Sequence, residues 1–184
     1  MSRKYKFRNE SGVYFVSFSI VYWVDIFVRE IYFNAIVESL DYCRKNRGMI
    51  LYGYCIMPSH IHLLFQSKDK KPMELIRDFK RVTAKNIISL IENNVQESRR
   101  EWLLWVFRQA GKRSGNVSKY QFWQHHSQPI EIYSDKFFFQ KLKYIHQNPV
   151  ESGFVCEASD WKYSSAKNYN GLVNILEIDN NKIF

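Results

Sequence analysis

The amino-acid sequence predicts one α+β domain in which helices pack on one face of a four-stranded antiparallel sheet. Three observations predict this class. The chain has 184 residues, which suits a single domain. Hydrophobic residues make up 46% of it and aromatic residues 17%, so it can bury a core and is not generally disordered. The spacing of the apolar residues switches along the chain between the period of a strand and that of a helix.

The first half of the chain predicts a strand, a helix and a hairpin. Residues 13–22 are rich in Val, Phe, Tyr and Ile, which is typical of a strand. Over residues 29–47 the apolar side chains recur at helical spacing, and Gly48 follows as a helix terminator. Two β-rich runs, residues 49–57 and 60–66, flank a Pro-Ser turn and therefore predict a hairpin.

The second half predicts two helices, a fourth strand and a last helix. A proline at position 72 opens a helix that runs to about residue 94, and residues 97–109 predict a second helix. Residues 122–133 alternate well enough for a fourth strand. Ser134 is a suitable N-cap for a helix that Pro149 is expected to end.

This order of elements is that of a ferredoxin-like split βαβ sandwich with extra C-terminal helices. We expect one domain over residues 1–184, with a core at about 12–150 and a C-terminal extension at 151–184. A sheet that is covered on one face leaves its other face available for a site. The fold hosts many unrelated functions, so it does not decide the function.

Charge and composition exclude several classes of protein. There are 27 Lys and Arg against 18 Asp and Glu, a net charge of +9, which favours a polyanionic partner or simply a basic, soluble enzyme. No apolar run is long and unbroken enough to span a bilayer, and no export signal follows the basic N-terminus. Three cysteines without a Cys-x-x-Cys motif exclude a disulfide framework. These features favour the reducing cytoplasm.

A His-Ile-His motif opens the second strand of the predicted hairpin. Alternate residues of a strand point to one face, so His60 and His62 are expected to lie side by side, with Ile61 on the opposite face. Two neutral imidazoles in this position can share a divalent cation, although they need a third ligand. Taken alone, the pattern is explained more simply by two partly exposed histidines on a solvated sheet face.

A second motif lies on the last predicted helix, where Tyr144 and Asn148 are one turn apart. A phenol and a carboxamide oxygen on one helix edge can approach the same ion, the amide as ligand and the phenol as nucleophile. The ordinary pKa of a phenol is about 10, so attack at neutral pH needs assistance. Taken alone, the motif is explained more simply as a half-buried tyrosine followed by an asparagine C-cap before a proline, which is a common arrangement.

Together, the two motifs resemble the HUH single-tyrosine transposases. Residues 57–62, Met-Pro-Ser-His-Ile-His, are similar to the His-hydrophobe-His motif of that family. Phe122–Gln124, Tyr144–Val150 and Trp161–Ser165 resemble the REP-associated tyrosine transposase subgroup. The resemblance spans residues 12–169, and the ordered combination is more specific than either motif alone.

The resemblance implies a metal-dependent endonuclease and transesterase that cleaves and rejoins single-stranded DNA near hairpins or palindromic repeats. The tyrosine attacks phosphorus and leaves a 5′-phosphotyrosine and a free 3′-hydroxyl. By position, Tyr144 is the nucleophile, and His60, His62 and Asn148 bind Mg²⁺ or Mn²⁺, with Asn148 where some relatives have glutamine. No nucleotide cofactor or membrane is implied. A monomer or a homodimer, associated with the nucleoid, fits the resemblance, and a domesticated gene fits as well as a mobile one.

Basic and aromatic side chains supply further candidates for DNA contact. Four of them recur at helical steps on the helix after residue 72: Arg77, Lys80, Arg81 and Lys85. A solvated helix face and a DNA-phosphate surface explain this stripe about equally well. Lys112 and Arg113 lie in a predicted loop at 111–118 and are candidates to order on DNA. Trp123 is expected either to stack on an unpaired base or to lie in the core.

Two other functions remain open at the level of sequence. A non-catalytic nucleic-acid-binding domain has the same fold and composition. A conventional hydrolase that activates water is disfavoured, because no cluster of acidic residues surrounds His60 and His62.

Overall fold

The computed structural model describes residues 6–114, 119–125 and 127–179. Its strands and helices follow in chain order: β1 (Val13–Ser19), α1 (Glu30–Asn46), β2 (Met49–Ile56), β3 (His60–Ser67), α2 (Pro72–Asn93), α3 (Arg100–Arg113), β4 (Ile130–Ile132), α4 (Asp135–Glu151) and α5 (Ala166–Tyr169). Short 3-10 turns lie at Val21–Trp23 and Ala158–Asp160. No helix in the described ranges has the length and apolar character needed to cross a bilayer.

The four strands form one antiparallel sheet in the order β2-β3-β1-β4. The predicted fold class, an α+β sandwich built on this sheet, is confirmed. One face packs on α1 and α2 through alternate residues such as Phe18 and Ile61, which join the larger core. On the other face, which the sequence led us to expect open, α4 packs on β2 and β3 through Phe138, Leu142 and Ile145.

The close approach of α4 to the sheet depends on Gly53 in β2. A β-carbon at this position would lie 2.8 Å from Leu142 Cδ1, well inside ordinary van der Waals contact. The ladder between β2 and β3 is irregular between Leu51 and Gly53. The missing side chain therefore lets Leu142 of α4 lie directly against the strand.

The C-terminal segment covers the free edge of β2. The amide of Ile56 donates to the carbonyl of Tyr163 at 2.9 Å, and the amide of Ser165 donates to the carbonyl of Tyr54 at 2.9 Å. Ser165 Oγ accepts from the Tyr54 amide and lies 2.9 Å from His146 Nε2 of α4. The segment thus protects a sheet edge and also ties α4 to it.

The fourth strand is shorter than the alternation over 122–133 predicts. Among the described residues of this range, only Ile130–Ile132 form a ladder with β1, and Trp123 forms an isolated bridge with Ile20. Gln128 has a φ of 39°, which interrupts an extended strand. The apolar alternation therefore reflects side chains of an irregular segment that packs into the core.

Two helix ends also differ from the sequence prediction. Helix α3 runs to Arg113 rather than ending near residue 109, so residues 111–113 of the predicted loop are helical, and 115–118 lie outside the described residues. Helix α4 begins as predicted, since Ser134 Oγ accepts from the Phe137 amide. It continues past Pro149 to Glu151, because losing the one N–H of a proline near a helix end does not unwind the last turn.

Glu97 is a buried carboxylate that joins the starts of α1 and α3. Its Oε2 accepts from Arg29 Nε at 2.7 Å and from the Tyr32 hydroxyl at 3.2 Å, and its Oε1 accepts from the Arg99 amide at 3.1 Å. Burial by itself raises the pKa of the Glu97 carboxyl, but the hydrogen bonds from Arg99 and Arg29 outweigh it and hold that pKa below its usual range.

Glu97→Gln is expected to lower the free energy of unfolding by about 2 kcal/mol near neutral pH, because it leaves a buried charge network incomplete. The folded-state pKa lies below the unfolded-state pKa. The carboxylate's contribution is therefore complete above the ordinary value of 4.5 and is lost as the pH falls through the lower folded value. Urea unfolding of both proteins over this pH range measures the effect.

Glu101→Gln is the matched control, because the Glu101 side chain is 85% exposed in the first turn of α3, four residues after Glu97. It is expected to change the free energy of unfolding by less than about 0.5 kcal/mol. Equal losses in the two variants would contradict a stabilising role for the Glu97 cluster.

Candidate functional site

The two histidines of the His-Ile-His motif lie side by side at the start of β3. His60 is opposite Ser19 of β1 and His62 is opposite Ser17. Ile61 enters the core under α1 and α2, so both imidazoles lie on the face that α4 shares. Their ring centroids are 4.8 Å apart. The juxtaposition that the strand spacing predicts is therefore present.

Helix α4 brings Tyr144 and Asn148 to the same place. The Tyr144 ring lies edge-on to the His62 ring, with centroids 5.3 Å apart. Asn148 Oδ1 is 3.3 Å from His60 Nε2, a hydrogen bond in the tautomer that has a proton on Nε2. The Tyr144 side chain is 43% exposed, so an external substrate can reach it. The structure thus unites all four residues that the sequence motifs single out.

His62 is a buried histidine without a hydrogen-bond partner. It is 3% exposed, and neither ring nitrogen has a partner within the described part of the chain. Burial, then the nearby His60 and Lys141, lower the pKa of His62 to about 3, so the ring is neutral at physiological pH. A neutral imidazole has a lone pair for a metal, whereas an unpartnered one in a core is destabilising.

His60 is less buried than His62, and both of its ring nitrogens have hydrogen-bond partners. Burial lowers its pKa, and the hydrogen bond with Asn148 partly offsets this. Because His60 Nε2 and Asn148 Oδ1 are only 3.3 Å apart, both atoms can lie within about 2.1 Å of one cation. Together with the unpartnered ring of His62, these residues could offer two nitrogens and one oxygen to a divalent metal.

A ring of aromatic and basic side chains surrounds Tyr144. Phe15 of β1 stacks on His62 at 5.6 Å and lies edge-on to Tyr144 at 5.9 Å. Lys141, one turn before Tyr144 on α4, places its ammonium 5.0 Å from the centre of the Phe15 ring and 5.8 Å from that of Tyr144. The site thus combines a fixed phenol with a nearby cation that suits an anionic phosphate.

The donor set is poor in negative charge. Within the described ranges, no group of three or more histidine, cysteine or acidic side chains comes together. Any further ligands of a cation held by His60, His62 and Asn148 would be waters or substrate oxygens. Such a site keeps positions open for a phosphate, which is typical of catalytic rather than structural metal sites.

The predicted basic stripe is only partly on the surface. Arg77 and Arg81 are exposed and share Asp78, at 3.4 and 3.3 Å, and Lys85 is exposed. Lys80 points inward instead, where its ammonium donates to the Gln124 carbonyl at 2.8 Å and to Ser127 Oγ at 3.1 Å. Burial lowers its pKa to about 8. Lys80 therefore binds the segment before β4. The prediction that it contacts DNA is wrong, because its ammonium is occupied inside the protein.

Of the two positions that the sequence allows for Trp123, the structure has the one in the core. Its side chain is 5% exposed, and its indole N–H donates to Thr83 Oγ1 of α2 at 3.1 Å, so it lies in the core and presents no surface for stacking. Lys112 and Arg113 end α3 rather than lying in a loop. Arg113 Nη1 is 3.4 Å from the hydroxyl of Tyr22.

The sequence reasoning missed Lys141 and the pair Tyr22 and Trp23. Trp23 is 59% exposed, and its ring centroid lies 5.7 Å from that of His60. Lys141 could have been found by its spacing, since it precedes Tyr144 by three residues on one helix. Trp23 could not have been found from the sequence. The composition of residues 13–22 predicts one continuous strand, whereas β1 ends at Ser19 and a turn follows it.

Comparison with known proteins gives three findings. The sequence model of the family described as "Transposase IS200 like" matches residues 14–120, which include both histidines of the motif. A Haemophilus influenzae protein named as a REP-associated tyrosine transposase is 32% identical over 111 residues, or 60% of this chain. The aligned part is 55% of that relative, so the chain spans only about half the relative's length.

The third finding is a structural similarity. A solved structure of a REP-associated tyrosine transposase bound to a REP hairpin superposes with a TM-score of 0.59, at 17% sequence identity, over 100% of this chain and 93% of the other. This similarity confirms the fold, and the resemblance drawn from the sequence motifs is confirmed as well. Because the family model matches more than half of the 184 residues, the chain belongs to the IS200-like transposase family.

Proposed function

We propose that this chain is a metal-dependent single-stranded DNA endonuclease and strand transferase that acts through Tyr144. One observation carries the proposal. Helix α4 presents Tyr144 and Asn148 to a histidine pair in which His62 is buried with both ring nitrogens unpartnered in the described structure. Unpartnered nitrogens in a core cost stability, and a ligand role accounts for their presence.

The residues that would hold the metal are His60, His62 and Asn148. A bound Mg²⁺ or Mn²⁺ would draw charge from the scissile phosphate and make its phosphorus easier to attack. His62 needs no deprotonation to serve as a ligand, because burial keeps its pKa at about 3. The Asn148 amide adds an oxygen without adding charge, so the site keeps its attraction for an anionic strand.

Tyr144 is the proposed nucleophile. A bond forms between its hydroxyl oxygen and phosphorus while the bond from phosphorus to the 3′ oxygen breaks, and the phenol's proton passes to the leaving oxygen. The products are a 5′-phosphotyrosine and a free 3′-hydroxyl. The reverse attack rejoins the strands, so the reaction needs no ATP. Lys141, whose ammonium lies 5.8 Å from the ring centre, would stabilise phenolate and phosphate charge.

The proposed substrate is a single strand that has a hairpin. The similar structure of a REP-associated tyrosine transposase is bound to a REP hairpin, and we carry this class of partner over to the present chain. The net charge of +9 and the exposed Arg77, Arg81 and Lys85 are consistent with a phosphate-binding surface.

Tyr144→Phe is expected to abolish covalent attachment of the protein to DNA, because phenylalanine has no oxygen to attack phosphorus. The measurement uses hairpin-bearing single strands from palindromic repeats of the host genome, incubated with Mn²⁺ and resolved on denaturing gels. A 3′-labelled strand should become protein-linked, and a 5′-labelled strand should be released with a 3′-hydroxyl.

Tyr42→Phe is a suitable control, since Tyr42 is 58% exposed on α1, across the sheet from the site. It should form the adduct at the wild-type rate. Cleavage without a protein-linked product would instead indicate a hydrolase. Tight hairpin binding with no cleavage by the wild type would indicate a non-catalytic binding domain.

His60→Ala, His62→Ala and Asn148→Ala are each expected to weaken Mn²⁺ binding at least about tenfold, because each removes one of three ligands. Electron paramagnetic resonance of free Mn²⁺ measures the affinity without any DNA. His125→Ala is the control, since His125 is exposed and outside this ligand set. Unchanged affinity in all three ligand variants would place the metal elsewhere.

His62→Leu is expected to raise the free energy of unfolding of the metal-free protein by about 1 kcal/mol, because it removes two unpartnered buried nitrogens. His60→Leu should not, since that ring bonds Asn148 and Ser59. Urea unfolding with a chelator present compares the variants. A loss of stability in His62→Leu would show that the nitrogens are satisfied in the folded protein.

A further inference from the structure

Tyr22 and Trp23 form an exposed aromatic pair just after β1. Both lie in the 3-10 turn Val21–Trp23 with φ of 55° and 56°, a left-handed conformation that large side chains rarely adopt. Their side chains are 52% and 59% exposed. The backbone thus holds two large rings in solvent in a strained conformation, and such strain is concentrated at functional sites.

Two backbone hydrogen bonds anchor the residues that lead into the turn. The amide of Ile20 donates to the Ser59 carbonyl in the loop between β2 and β3, at 2.9 Å. The amide of Val21 donates to the Phe122 carbonyl, also at 2.9 Å. The turn is therefore fixed between the loop that precedes His60 and the segment after α3, and the rings are preorganised.

The aromatic pair adjoins the histidine site and borders a cleft. The Trp23 ring lies edge-on to His60 with centroids 5.7 Å apart. A cavity of about 440 Å³ lies beside the turn, and its lining contains Tyr22, Trp23, Arg113, Gln121 and Gln124. No acidic residue lines that cavity among the described residues. A strand that placed a phosphate at His60 would therefore have the Trp23 ring beside it.

The lining of this cavity contains polar groups that can form hydrogen bonds with the edge of a nucleobase. Gln121 Nε2 donates to the Trp123 carbonyl and Gln124 Nε2 donates to the Ile20 carbonyl, each at 3.2 Å. These bonds fix both amides and leave their oxygens as acceptors within the described structure. Arg113 supplies guanidinium donors at the same cleft. Donors and acceptors beside an aromatic face are the means by which proteins bind unstacked bases.

We propose that the Trp23 ring is a stacking platform for one unpaired nucleobase next to the scissile phosphate, with the edge of the base toward Arg113, Gln121 and Gln124. The inference rests on the proposed function, because it takes a single strand to be the ligand of the histidine site. It assigns to the exposed aromatic pair the role that sequence analysis offered to the buried Trp123.

The test is a double-mutant cycle that combines substitutions of Trp23 with abasic positions in the DNA. It uses the Tyr144→Phe protein, so that binding is measured without cleavage. Fluorescence anisotropy gives the affinity for a hairpin-bearing single strand. One abasic position is expected to weaken binding about tenfold, Trp23→Gly should weaken it similarly, and the two together should do no more than either alone. Glycine adopts a φ of 56° freely, so this variant should fold.

Trp23→Phe should keep most of the affinity and Trp23→Leu should lose it, which tests the ring even where glycine disturbs the turn. Trp102→Ala, which removes a tryptophan that is 48% exposed on α3, should bind like the parent. Wild-type affinity in Trp23→Gly and Trp23→Leu, or losses that add to that of every abasic position, would overturn the base site. A lack of covalent adduct with Tyr144 intact, but with the coupling present, would overturn the proposed cleavage instead.

Discussion

The site depends on one packing constraint, the direct contact of α4 with β2 at Gly53. A β-carbon at Gly53 would lie 2.8 Å from Leu142 Cδ1, so the Leu142 side chain or α4 itself would have to shift. The same helix is tied to the covered edge of β2 through His146 and Ser165. Since Tyr144 and Asn148 reach the histidines only by way of this helix, the geometry of the site is set by backbone proximity as much as by the four side chains themselves.

The site also combines two features that are unfavourable for stability. His62 is neutral, buried and unpartnered in the described structure, and the turn at Tyr22 and Trp23 is in a left-handed conformation. A protein selected for stability alone would replace both with ordinary core or loop residues. The rings of His62 and Trp23 both contact the His60 ring, so both features adjoin the proposed metal and DNA site.

The bounds of most helices and strands, and the pairing of the two histidines, could be predicted from local sequence rules. The bounds of α1, β2, β3 and α2 agree with the predicted ranges to within about two residues, because apolar periodicity and terminating residues coincide there. The pairing of His60 with His62 follows from the period of a strand. The contact of α4 with those histidines required family resemblance, since they are more than eighty residues apart in the chain.

The errors share a physical cause. The alternation over 122–133 arises from residues that fill the core without forming a ladder, and Trp123 is one of them. Lys80 was assigned to the surface by helical spacing, but Gln124 and Ser127 satisfy its ammonium inside. No local sequence pattern predicts the positive φ of Trp23. Each of these depends on tertiary contacts that override a local signal.

The central claim, that Tyr144 at this histidine site attacks DNA, is tested most directly by locating the covalent bond. The adduct formed with Mn²⁺ would be digested with nuclease and trypsin and then sequenced by tandem mass spectrometry. The account predicts a nucleotide remnant on the peptide that contains Tyr144, joined through a 5′ phosphate. A remnant on any other residue, or cleaved DNA without a modified peptide, would contradict it.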